Sequence, residues 1–164
     1  MASLIDELLA NAAAHEASFQ GPGAGIPAKR VAIVTCMDAR IDVPRIFGLQ
    51  PGDAHVLRNG GGLVTEDVLR SLVLSQRALQ TRAVMLMHHT NCGLHGTDEA
   101  ALREAIARDV GEPPPYAFGS FADLDEAVRD AIRRVRAHKY LPHRDDVRGF
   151  VYDVNTGQVR EVIA

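Results

Sequence analysis

The chain has two cysteines, and each stands among side chains that bind metals or move protons. Cys36 opens the run Cys36-Met37-Asp38-Ala39-Arg40, with a thiol, a carboxylate and a guanidinium on alternate residues. Cys92 lies in His88-His89-Thr90-Asn91-Cys92-Gly93. Two thiolates and an imidazole form a Cys2His set that suits zinc and leaves one tetrahedral position over. Cys36, His89 and Cys92 are the expected ligands. A closed structural site would need a fourth Cys or His, and no third cysteine exists. His88 neighbours His89 on an extended stretch and should point the other way, into an outer layer or the core. His95 is a weaker candidate; His15, His55, His138 and His143 read as surface or packing residues.

Asp38 best suits the remaining position. It either binds the metal itself or accepts a hydrogen bond from the nucleophile there. Arg40 can grip it as a fork, keeping it ionised and aimed. Alone, Asp38 and Arg40 would read as an ordinary loop ion pair. Cys36 and Cys92 would pass for a redox pair, but that reading leaves His89, Asp38 and Arg40 without a task. Asn59-Gly60-Gly61-Gly62 precedes a helix, as phosphate-cradling loops do. Its spacing is neither GxGxxG nor GxxxxGK[ST], so a loop that lets backbone approach the metal cleft is expected instead.

These residues need strands to position them. Val31-Ala32-Ile33-Val34 and Ala83-Val84-Met85-Leu86-Met87 are continuous apolar runs, the pattern of strands buried on both faces. They predict strands over 30–35 and 83–88, with a further strand over 54–58. Helices are expected from Asp42 to Gly48, from Thr65 to about 80, and from Thr97 to the Gly111-Pro115 break. Another should run from a Ser120–Asp123 capping box to Pro142. Its Arg129, Arg133, Arg134 and Arg136 read as a solvated face. Strands over 147–154 and 158–163 should form a hairpin across Asn155-Thr156-Gly157. The result is an α/β fold: an open, mainly parallel sheet with helices on both faces and a C-terminal antiparallel hairpin strand. Sites form beyond the carboxyl ends of strands where the order reverses. If strands one and three are neighbours, with strand two on the other side of strand one, the two cysteine loops face each other across that crevice.

A length of 164 residues, 46% apolar and 24% charged, predicts one soluble globular domain over 1–164. A net charge of −3 argues against nucleic acid and acidic membranes as partners. No apolar stretch approaches the ~20 residues of a membrane span. Asp6 and Glu7 do not suit a secretory leader, so a cytoplasmic location is expected. An amphipathic helix over 3–18, within an N-terminal arm at about 1–20, is cut off by Gly21-Pro22-Gly23-Ala24-Gly25-Ile26-Pro27. Such an arm can pack on a second subunit.

With Cys36-x-Asp38-x-Arg40, Arg58-Asn59-Gly60-Gly61 and His89-x-x-Cys92 in this order, the chain resembles the β-class carbonic anhydrases. It is most similar to the short bacterial members that carry His-His-Thr-x-Cys-Gly. The resemblance implies zinc on Cys36, His89 and Cys92 and an Asp38–Arg40 dyad. It also implies a parallel sheet of order 2-1-3-4, as the crevice requires, and a homodimer or dimer of dimers with the cleft near the subunit boundary. The implied reaction is reversible hydration of carbon dioxide to bicarbonate by a metal-acidified water. Carbonyl sulfide or carbon disulfide hydrolysis on the same scaffold is an alternative, as is a non-catalytic zinc- or bicarbonate-binding role. Two departures stand out. Gly60 replaces a frequent Ala, which should loosen that loop. The absence of Trp speaks against a Trp-containing inhibitory bicarbonate pocket.

Overall fold

Strands β1 (Val31–Cys36) and β3 (Ala83–His89), the two apolar runs that end at the cysteine loops, lie side by side and parallel. The computed structural model describes residues 3–19, 21, 23 and 25–164. Pro22 and Ala24 of the expected chain break, and residues 1, 2 and 20 of the expected arm, lie outside the described residues. Strand β2 (Ala54–Asn59) flanks β1, while β4 (Val147–Tyr152) and β5 (Val159–Val162) continue beyond β3. The order is β2-β1-β3-β4-β5, parallel except for the antiparallel β4–β5 pair. The order thus reverses at β1, with β2 on one side and β3 on the other, as the crevice requires.

Strand alternation divides the core. On one face Ala32, Val34, Val84 and Leu86 meet Val68, Leu69 and Leu72 of α3 (Glu66–Arg77) and Val128, Ile132 and Val135 of α5 (Leu124–Ala137). Burial of each Leu, Ile or Val of this set contributes roughly 1.5–3 kcal/mol. On the other face Ile33 and Met87 pack with Ile41 and with Val43 of α2 (Val43–Phe47). Asp42 caps α2 through Arg45 N, and Gly48 ends it in the left-handed conformation with φ 62.

Helix α1 (Leu4–Glu16) starts with the expected Ser3–Asp6 capping box, yet none of its residues is buried. Leu4 is 81% exposed and Leu9 63%. The N-terminus of α5 differs from expectation. The spacing of Ser120 and Asp123 fits a capping box, but Asp123 is itself the cap and accepts from Glu126 N. The Ser120 hydroxyl turns instead to Glu99, the first residue of α4 (Glu99–Val110). Helix α3 also stops earlier than its apolar pattern suggests, and Gln80 turns the chain with φ 63.

Gly149 sits where α5 presses on β4. A Cβ there would meet Val128 and would lie 2.7 Å from Ile132 Cδ1. Gly149→Ala should therefore overpack this seam by about 1–3 kcal/mol and lower the melting temperature by roughly 3–10 °C. An unchanged melting curve would show that the seam can yield.

Candidate metal centre

Cys36 is the last residue of β1 and His89 the last of β3, so parallel pairing of those strands sets both at one end of the sheet. Cys92 returns toward them through a tight turn in which Asn91 takes φ 55, a left-handed conformation that Asn tolerates. Cys36 Sγ, Cys92 Sγ and a His89 ring nitrogen all lie within 4.8 Å of one another, and all three residues are buried. That spacing suits one small cation held by three donors.

The His89 tautomer is set by its surroundings. Nδ1 donates to the Thr90 carbonyl at 2.9 Å, which leaves Nε2 with a free lone pair. Nε2 is buried and has no hydrogen-bond partner. A buried nitrogen left unpaired costs about 1–3 kcal/mol, which a ligated ion would offset. The Thr90 carbonyl is held in turn. Thr90 N donates to Tyr152 O at 2.9 Å, and its hydroxyl accepts from Val154 N at 3.1 Å. The end of β3 is thereby tied to the end of β4.

Burial pushes the Cys36 thiol up, but His89, when its ring carries a proton on both nitrogens, and the N–H groups of Asp38 and Gly61 outweigh it and bring it to about 7. Burial raises the Cys92 thiol; the Leu94 N–H offsets part of this and charge on Cys36 adds to it. Two adjacent sulfurs that oppose each other's ionisation, with an orphaned imidazole nitrogen beside them, form a donor set that fits a soft divalent cation.

Asp38 stands next to this trio, with Oδ2 3.9 Å from His89 Nε2. Both of its oxygens are engaged by Arg40, which donates from Nε to Oδ1 at 2.9 Å and from Nη2 to Oδ2 at 2.6 Å. These bonds hold the carboxyl well below the usual carboxylate range. Arg40 Nη2 also donates to the Asn91 carbonyl at 3.1 Å, joining the first loop to the second.

The other histidines stand apart. His88 faces away from the trio, as strand alternation requires, and burial pushes its imidazole down to about 4. His95 is exposed and stacks on Phe121, with Nε2 3.1 Å from Ala122 O. His55 Nδ1 is 2.8 Å from Ser75 Oγ, and His138 caps the end of α5.

Several supporting residues carry no sequence signal of their role. Arg58 donates to the Cys36 carbonyl at 3.0 Å and to the Asp38 carbonyl at 2.6 Å, fixing the loop between them. The Asn59 side chain closes the glycine turn, donating to Leu63 O and accepting from Leu63 N, both at 2.8 Å. This clamp offsets the looseness expected of Gly60, where a Cβ would meet nothing within 4 Å. Gly62 is the glycine the turn requires. Its φ is +68, and a Cβ would come 2.9 Å from Cys36 N. Gly62→Ala should lower stability by about 2–4 kcal/mol and weaken metal retention by displacing Cys36. A chelator competition assay and a melting curve would check both effects.

The chain is similar to known proteins along most of its length. Residues 31–110 match the family model described as carbonic anhydrase. The chain is 42% identical over 160 residues to beta-carbonic anhydrase 1 of Mycobacterium tuberculosis, covering 98% of each. It is 30% identical over 162 residues to a carbon disulfide hydrolase of an Acidianus species, covering 84% of this chain and 79% of that protein. The crystal structure of carbonic anhydrase from Streptococcus mutans superposes with a TM-score of 0.92 at 40% identity, covering 99% of both chains.

Proposed function

This chain belongs to the β class of the carbonic anhydrase family, and from that premise we propose that it catalyses the reversible hydration of carbon dioxide to bicarbonate. The observation that carries the reading is the meeting of two thiols with the partnerless, buried His89 Nε2 beside an Asp38 locked to Arg40. Cys36, His89 and Cys92 would hold zinc, because thiolate donors select it over harder cations. When bound, zinc supplies a Lewis acid that acidifies water to a nucleophile near neutral pH. The side chains do the rest. His89 presents Nε2 because Thr90 holds the proton on Nδ1. Asp38 accepts a hydrogen bond from the attacking oxygen and aims its lone pair at the carbon. Arg40 keeps both carboxylate oxygens occupied, which would favour Asp38 as a hydrogen-bond acceptor over a metal ligand.

Two thiolates formally cancel the double charge of zinc, so water is acidified less than by a three-histidine site. The expected kinetic pKa falls between the ~7 of such a site and the ~9 of aqueous zinc. With zinc held by Cys36, His89 and Cys92, the water it would acidify should be more often ionised as pH goes from 6 to 9, so the rate should rise over that range. Stopped-flow hydration across that range, on protein of assayed zinc content, tests this. A flat profile would contradict the mechanism, and zinc-replete protein with no turnover would favour a sensor.

A second reading, carbon disulfide hydrolysis, is supported by the 30% identity to proteins so named. Comparing turnover of carbon dioxide, carbonyl sulfide and carbon disulfide on one preparation separates the two.

We further infer that the chain works as one unit over 1–164 and as a homodimer or dimer of dimers, with α1 as an arm on a second copy. Leu4, Ile5, Leu8 and Leu9 are all more than half exposed, an apolar stripe without cover in the single chain. Two unpaired buried thiols suit a reducing compartment, which supports a cytoplasmic placement. Among the described residues no helix is long and apolar enough to cross a membrane.

A further inference from the structure

A cavity of about 720 Å³ lies on the side of β3 away from the metal centre. Its walls are the glycine turn, the start of α3, the 116–123 loop and α5. His88 and His89 are successive strand residues, so their side chains leave opposite faces of the sheet. His89 joins the thiols, while His88 forms part of the cavity lining.

His88 is 1% exposed, and both of its ring nitrogens lack a hydrogen-bond partner. The Phe121 ring covers it, with centroids 5.7 Å apart and planes tilted by 43°. Phe121 itself is only half-buried and borders the cavity. Leu63, Val64, Phe118 and Ala131 supply much of the remaining apolar wall.

The arginines at the mouth are already matched. Arg134 donates to Glu66 at 2.7 Å, Arg133 donates to Glu126 and Asp130, and Asp123 accepts from Glu126 N. The N–H groups of Phe118, Gly119 and Ser120 all go to the Glu99 carboxylate, so these three are not free to donate to an anion. An anionic ligand would find no free counter-charge. A flat apolar molecule with one N–H would find aromatic walls and an unpaired imidazole nitrogen.

We propose that this cavity is a second, non-catalytic binding site for an uncharged aromatic or heteroaromatic small molecule, with His88 as its polar anchor and Phe121 as the ring that swings aside. The volume lies within the ~300–1,000 Å³ of small-molecule sites. Occupancy should reach the metal centre. Phe121 N donates to Leu94 O at 3.1 Å and Gly96 N donates to Phe121 O at 2.8 Å, so the lid shares its backbone ladder with the turn that follows Cys92.

Indole is a suitable probe: neutral, bicyclic, with one N–H and no affinity for zinc. Titrated calorimetrically into the metal-loaded protein, it should bind with one site per chain. Benzothiophene, of similar shape but without the N–H, should bind several-fold more weakly, and benzoate should not compete. Ala127 is a half-buried cavity residue, and Ala127→Phe should weaken indole at least tenfold while leaving carbon dioxide hydration in its absence unchanged. Were that variant unable to fold, intermolecular NOEs from indole to the Leu63 methyls and the Phe121 ring in the unaltered protein would decide. No binding up to the solubility of indole, as when a second copy fills the cavity, would overturn the proposal. So would equal affinity for benzothiophene, binding that ignores Ala127→Phe, or NOEs to other residues.

Discussion

Cys36→Ser should yield a folded protein that retains almost no zinc and hydrates carbon dioxide no faster than buffer. The side chain sits at the end of an inner strand in the register that pairs Thr35 with Met87, so removing sulfur leaves the sheet intact. What changes is the donor. A serine hydroxyl is a harder and far less acidic ligand than a thiolate, and only His89 and Cys92 would remain for the ion. Loss of an outer partner of a metal ligand costs about 10–100-fold in affinity, and loss of a ligand should exceed that. Zinc per chain, measured by atomic absorption after dialysis, and stopped-flow turnover should fall together. Near-normal zinc content in Cys36→Ser would show that the three donors do not act on one ion. His89→Ala should behave alike, with the added effect of removing a buried imidazole.

The parts of this site that can be read from the chain are those whose signal is local. Cys36, Asp38 and Arg40 follow one apolar run and His89 and Cys92 follow another; a run buried on both faces identifies a strand without its partners. The strand order is not local; the family resemblance implies it, and β1 and β3 are neighbours as the crevice demands. What stays hidden depends on acceptors that every residue owns. Arg58 acts through the carbonyls of Cys36 and Asp38, and His89 through that of Thr90. A main-chain carbonyl carries no residue identity, so spacing cannot reveal these bonds. The Ser120 hydroxyl illustrates a related failure. Its spacing to Asp123 fits a capping box, but Glu99, 21 residues earlier, collects the N–H groups of the 118–120 loop and the hydroxyl with them. An ionised carboxylate is the stronger acceptor, and the distant contact wins. The unpaired nitrogens of His88 are equally invisible, since their isolation is made by Phe121.

Asp38→Ala should do the opposite of Cys36→Ser: zinc stays and turnover falls by about 10²–10⁴, the usual contribution of a positioned proton acceptor. Asp38 is not one of the three converging donors, and its oxygens are committed to Arg40. The pH dependence follows from the same ion pair. The arginine fork lowers the Asp38 carboxyl from its ordinary 3.8, so the charged form is favoured in the folded protein. For a lowered carboxyl, the stabilisation is complete above the ordinary value and is lost only as pH falls through the depressed one. Between pH 6 and 9 Asp38 therefore does not change charge, and the acid fall in rate belongs to the nucleophile. If Asp38 also swings into the open position when hydroxide is scarce, Asp38→Ala should show a shallower fall toward pH 6 than the unaltered enzyme, on its lower plateau. Arg40→Leu gives the complementary case, because an unpinned Asp38 is free to occupy that position and the acid fall should steepen. Loss of zinc from Asp38→Ala would make the carboxylate a ligand that holds the metal, and the orienting role assigned to it would be wrong.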